Sequence, residues 1–188
     1  MFYVPVILGS VRRGRKSPIV ARFVVERLRR SGKFEPELLD LAEYNFPIME
    51  ERMRLRDDPP AAAVEMGAKL SHADAIVVVS PEYNNGYPGV LKNALDYFLP
   101  EYKRKPVGIV TVSGGGFGGI NALAQLRLVF LFMGAYPIPL GLPVSRVQDA
   151  FDENDNPKDP LLEKAAAAFT AELLWLTEAI TVKKLAET

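Results

Sequence analysis

Three short stretches of this 188-residue chain carry residue types that could hold a charged or planar ligand. The first, Gly9-Ser10-Val11-Arg12-Arg13-Gly14-Arg15-Lys16-Ser17, gathers two hydroxyls and four cations just before Pro18. Backbone N–H groups at a helix start, joined by hydroxyls and cations, suit a phosphate monoester dianion. With glycines only at 9 and 14, it is not the dinucleotide fingerprint. The stretch also reads as a solvated basic loop, with Ser17 an N-cap and Pro18 the first helical residue. The second, Ser80-Pro81-Glu82-Tyr83-Asn84-Asn85-Gly86-Tyr87-Pro88-Gly89, can seat a planar ring. Turn backbone would donate to the polar edge of the ring while Tyr83 and Tyr87 supply apolar walls. It also reads as a plain connection, with Pro88-Gly89 turning into a helix. The third, Ser113-Gly114-Gly115-Gly116-Phe117-Gly118-Gly119, has five glycines in seven residues. Such backbone approaches a ligand closely and turns N–H groups inward, although a flexible linker has the same composition.

The elements around these stretches predict where they meet. Val4 to Leu8, Ala75 to Val79 and Val107 to Val112 are continuous β-branched runs, the pattern of parallel strands buried on both faces. Weaker strands fit Glu35 to Leu41 and Ala135 to Leu140. Between them, helical periodicity marks a helix opening at Ser17-Pro18 and closing at Gly32, then Ala63 to Leu70, Val90 to Phe98, Ile120 to Met133 and Leu161 to Leu185. This alternation predicts an α/β fold: a doubly wound, five-stranded parallel sheet of order 2-1-3-4-5 with helices on both faces, in one domain over residues 1–188. Pro5 cannot donate to a ladder, so it is expected at the first position of its strand or at a bulge. Asn45 to Pro60 and Val144 to Pro160 read as long surface connections. Ligands bind outside the carboxyl ends of strands in such sheets, where all three stretches lie.

Composition removes several functional classes. There is no cysteine and a single histidine, which excludes disulfide scaffolds, thiol catalysis and histidine-rich or cysteine-ligated metal sites. His72, beside Ser71 and Asp74 at a helix end, reads as a surface polar group. The 23 basic and 23 acidic residues cancel, so neither nucleic acid nor membrane is an expected partner. No signal-like start or bilayer-length apolar run is evident, and a cytoplasmic location is expected.

Together the loops resemble the NADPH-dependent FMN reductase family, which has a flavodoxin-like fold and includes flavin, quinone, azo-dye and chromate reductases. The resemblance spans roughly Val4 to Pro143 and rests on Pro81-Glu82-Tyr83-Asn84, Pro88-Gly89 and Leu91-Lys92-Asn93-Ala94-Leu95-Asp96, supported by Gly9-Ser10-Val11-Arg12. It implies a flavodoxin-like fold, bound FMN, and NADPH or NADH as donor to a small electron acceptor. By similarity, Ser10, Arg12, Ser17 and Pro18 would surround the FMN phosphate. Pro81, Glu82, Tyr83, Asn84 and Asn85 would run along the isoalloxazine, with Ser113, Gly114, Gly115 and Gly116 near its pyrimidine side. The family often has Ser or Asn where this chain has Arg13, Gly14, Arg15 and Lys16. No catalytic side chain is expected, because the flavin carries the chemistry. Nicotinamide and acceptor are expected to alternate on one flavin face in a ping-pong cycle. Arg15 or Lys16 could also meet a nicotinamide 2′-phosphate.

A non-enzymatic flavodoxin-type carrier and an FMN-binding regulatory module share these features. A carrier would be expected to show charge asymmetry for docking. In the Ile120 to Met133 helix, Leu123, Leu126, Phe130 and Met133 form one stripe, while Leu128, Val129, Leu131 and Phe132 make its second half apolar all round. That excess, and the resemblance, imply a homodimer or homotetramer. Arg127 reads as an intersubunit ion-pair partner or a snorkelling surface residue.

Overall fold

A computed structural model describes residues 1–187. In chain order it contains β1 (Phe2–Leu8), α1 (Ser17–Arg30), β2 (Phe34–Asp40), α2 (Leu41–Tyr44), α3 (Ala61–His72), β3 (Ile76–Pro81), α4 (Gly89–Asp96), β4 (Pro106–Val112), α5 (Ile120–Phe132), β5 (Tyr136–Pro137), β6 (Leu142–Val144) and α6 (Pro160–Leu185). All strand pairs are parallel, in the order β2-β1-β3-β4, with β5 and β6 both on the outer side of β4. This is the expected flavodoxin-like 2-1-3-4-5 arrangement, with the last position filled by two segments.

The split has a geometric cause. From Val107 to Val110 β4 advances three residues, whereas the edge advances five, from Pro137 to Leu142. The surplus bulges out around Pro139, whose carbonyl accepts from Arg127 at 2.5 Å. Arg127 therefore closes the bulge within its own chain, an arrangement that neither sequence reading of it anticipated.

Side chains of the central strands alternate between two cores. Val4, Val6, Leu8, Val77 and Val79 pack under α1 and α6, while Ile7, Ile76 and Val78 pack under α3, α4 and α5. Burial on both faces explains why these strands read as unbroken apolar runs. The expected α5 stripe is the buried one: Leu123, Leu126, Phe130 and Met133 face the sheet.

Two expectations are corrected. Pro5 sits in the middle of β1, paired with Glu37, and not at a first position or bulge. Tyr3 exchanges bonds with Asp74 on the β3 side. Alternate residues of a parallel strand face the same neighbour, so Pro5 also faces β3, just before that ladder opens at Val6. Its missing donor is why that ladder opens only at Val6. Secondly, α6 is long and apolar enough to cross a membrane by length and composition alone. Its buried residues Ala166, Phe169, Thr170, Leu173 and Thr177 recur at helical spacing and form its packing face. His72 is exposed at the end of α3, as expected.

Candidate functional site

The loops after β1, β3 and β4 converge at the carboxyl edge of the sheet around a cavity of about 270 Å³. Its walls include Arg12, Ser17, Pro81, Glu82, Tyr83, Ser113 and Gly114 from the expected set, together with Arg13, Gly14, Arg15 and Lys16. Ser10, Pro18, Asn84, Asn85, Gly115 and Gly116 belong to the same loops but lie outside this lining. Tyr87 turns instead to the core under α3, α4 and α5, so one of the two expected aromatic walls is missing.

The first loop leads straight into α1. Ser17 is the first residue of the helix and Lys16 occupies the cap position, so the N-cap expected of Ser17 is not found. Its hydroxyl is buried and has no hydrogen-bond partner. An orphaned hydroxyl in the wall of a cavity lined by cations is an acceptor or donor waiting for a ligand. Ser10 is fully buried, and its Oγ lies 3.1 Å from the Tyr83 hydroxyl. The Arg12 guanidinium stands 5.8 Å from the centre of the Tyr83 ring. Arg12, Arg13 and Lys16 have no ion-pair partner among the described residues. Arg15 does: it forks onto Asp40, and those hydrogen bonds hold its guanidinium pKa above the usual value.

The second loop is a tight reversal. Tyr83 and Gly86 exchange backbone bonds of 2.8 and 3.1 Å around Asn84 and Asn85, both with positive φ. Asn tolerates that left-handed region better than most residues, which is why the Asn-Asn pair suits this turn. The Glu82 carboxylate accepts from the Asn121 and Ala122 N–H groups, both at 2.9 Å. It satisfies the start of α5, whose cap position is Gly119 and offers no side chain. Asn121 and Gln125 in turn donate to Asn85, fixing the reversal to α5.

The motif that follows also has local causes. A Cβ on Gly9 would meet Leu91 at 2.8 Å, so α4 packs directly beneath the first loop. Asn93 binds the Met49 N–H and the Pro47 carbonyl, both at 2.8 Å, and so anchors the long connection after α2.

In the third loop the glycines divide into two kinds. A Cβ on Gly118 would reach Pro143 at 2.7 Å, and Gly119 has φ +83°, so these two are needed by the fold. Cβ atoms on Gly115 and Gly116 would meet nothing within 4 Å, which leaves open space beside the backbone. The loop is no flexible linker. Gly115 O accepts from Arg146 N, Ser113 O accepts from Val147 N, and the Gln148 amide donates to Gly114 O at 3.2 Å. Val147 and Gln148 also line the cavity and were missed in the sequence. They follow the carboxyl end of β6, a location that would have flagged them had the edge strand been placed correctly.

The donor set and empty volume fit an FMN phosphate and ribityl chain: an uncapped helix start, an unpaired buried hydroxyl, unpaired cations, and glycines with room beside them. Residues 3–149 match the model of a family described as NADPH-dependent FMN reductase. An NAD(P)H-dependent FMN reductase of Schizosaccharomyces pombe is 37% identical over 151 residues, 75% of this chain and 72% of that protein. A quinone reductase of Pseudomonas putida is 32% identical over 182 residues, 91% of this chain and 94% of that protein. Among solved structures, the flavoenzyme NAD(P)H:(acceptor) oxidoreductase FerB of Paracoccus denitrificans superposes with a TM-score of 0.81 at 24% identity, covering 95% of this chain and 98% of that one.

Proposed function

The chain belongs to the NADPH-dependent FMN reductase family of oxidoreductases, and from that premise we propose that it binds FMN at the three-loop cavity and passes hydride from NAD(P)H to a small acceptor. The observation that carries the site assignment is the buried, partnerless Ser17 hydroxyl at the uncapped start of α1. Ser17, the α1 backbone and Arg12 would hold the phosphate. Pro81 to Asn85 would flank the isoalloxazine, with Ser113 to Gly116 offering N–H groups to its pyrimidine edge. Bound FMN supplies the hydride chemistry, and no side chain of the site is required as a general acid or base.

Acceptors of several classes suit an exposed planar face, including free flavin, quinones, azo compounds and metal oxyanions. Nicotinamide and acceptor would take turns there, because one ring-binding constellation serves both. Steady-state rates with NAD(P)H varied at fixed quinone concentrations should give parallel double-reciprocal lines. Intersecting lines would refute the shared face. Anaerobic mixing with NADPH should bleach the bound flavin rapidly, an outcome expected of neither a carrier nor a regulatory module.

The assembly proposed is a homodimer or homotetramer built on α5. Phe132 is 87% exposed and Leu128 69%, on a helix whose opposite face already fills the core. A second copy would cover them.

A further inference from the structure

Arg15 is the one cation of the loop after β1 that has an ion-pair partner among the described residues. Its two terminal nitrogens meet the two Asp40 carboxylate oxygens at 2.7 and 2.6 Å, a planar fork on a planar acceptor. One of them also donates to the Ser10 carbonyl. Both side chains are largely buried, 19% and 13% exposed. The Arg15 N–H closes a turn onto the Arg12 carbonyl at 3.2 Å, with Gly14 at φ +69°. Asp40 ends β2, whereas Ser10 lies two residues beyond β1 and reaches the ring loop through Tyr83. One guanidinium therefore joins the edge strand, the loop that presents Arg12 and Ser17, and indirectly the loop after β3.

We infer that Arg15 is a positioning residue for the cofactor phosphate: held by Asp40 and the Ser10 carbonyl, it fixes the shape of the loop and does not bind the anion. The inference rests on the proposed FMN site. Without Arg15, the Asp40 carboxylate would border an anion site uncompensated and would repel the phosphate. Asp40 cannot itself favour a phosphate electrostatically, so any affinity lost on removing its charge must come through the loop. Lysine would keep the charge at position 15 but lacks the fork that spans both carboxylate oxygens.

The test is a fluorescence-quenching titration of FMN into apo-protein, with the melting temperature of each apo-protein recorded alongside. Arg15→Ala, Arg15→Lys, Asp40→Asn and the double variant Arg15→Ala/Asp40→Asn are compared with wild type. Asparagine at 40 retains a side-chain cap for α2, whose Ala42 N–H is now held by Asp40. Each single variant, Arg15→Lys included, should weaken FMN by about tenfold, and the double variant no further than the weaker single. Melting temperatures should remain close to wild type in Arg15→Lys and in the double variant, neither of which leaves a buried carboxylate unpaired. Rescue by Lys together with unchanged or tighter binding in Asp40→Asn would make Arg15 a direct phosphate ligand and overturn the inference. Unchanged binding in every variant would overturn it too, as would a loss of affinity that tracks a fall in melting temperature in those two. A wild-type protein that takes up no FMN would instead remove the site reading itself, before any variant is measured.

Discussion

The Ser10 hydroxyl lies 3.1 Å from the Tyr83 hydroxyl and joins the loop after β1 to the loop after β3. Because Ser10 is fully buried, this contact is its side chain's means of avoiding an unsatisfied polar atom. Arg12 stacks on the same tyrosine, so the cation proposed for the phosphate and the residue proposed for the ring support each other.

Replacing Arg12 by Ala should weaken FMN about ten- to a hundredfold, the worth of a charge-assisted contact, while riboflavin loses little. Titration of both ligands checks this. Equal losses would assign Arg12 to the support of Tyr83 and not to the phosphate.

Gly115→Val should reduce flavin affinity and leave folding nearly intact, because a Cβ there meets nothing within 4 Å and the added methyls start from open space. Gly118→Ala should do the opposite and destabilise by about 1–3 kcal/mol, through positive φ and collision with Pro143. Thermal melts and flavin titrations of the two apo-variants separate the effects; full flavin affinity in the Val variant would remove Gly115 from the site.

Lys105 gives a pH prediction. Its ammonium is buried and donates to the carbonyls of Leu70, Ser71 and Ala73 at 2.5, 2.7 and 2.8 Å, at the end of α3. Burial pushes its pKa down from 10.5 to about 8. Between those values the unfolded chain holds a proton that the folded chain has released, so stability from this group rises from pH 8 towards 10.5 and is lost as pH falls through 8. Urea unfolding across this window should show a rise of about 3 kcal/mol in wild type that Lys105→Met lacks. Parallel profiles would show that the three carbonyls keep the ammonium charged.

Phe132→Asp should turn a dimer or tetramer into a monomer or an insoluble protein, because an interface would have to desolvate an unpaired carboxylate. Multi-angle light scattering decides it. A monomeric wild type would end the oligomer proposal, and Phe132 would then be an exposed ring.

Sheet order was readable because runs such as Val77 to Val79 have a single structural use, strands covered on both faces. The site loops were readable because Asn84, Asn85 and the glycines encode backbone shapes that few other residues adopt. Side-chain direction was less so. Arg15 turns to Asp40, 25 residues away, and Glu82 turns to Asn121, 39 away; local composition says nothing about either partner. Gln148 and Val147 were hidden for a related reason, since the two-residue surplus at Pro139 moved the end of the edge strand past where periodicity placed it.

The prolines of the sheet have a consequence for how copies of the chain can meet. Phe2 N donates to Lys33 O, so alternate residues of β2 face β1 and Pro36 faces outward. On the opposite edge Tyr136, Ile138 and the Val144 carbonyl bond inward to β4, which turns Pro137 and Pro143 to the outside. Each outward proline deletes a donor that an incoming strand would need, on both free edges of the sheet. Edge-to-edge strand addition is thereby obstructed in the folded chain, which leaves the helical surfaces for the self-association proposed above, where contacts would be made by side chains and not by a backbone ladder.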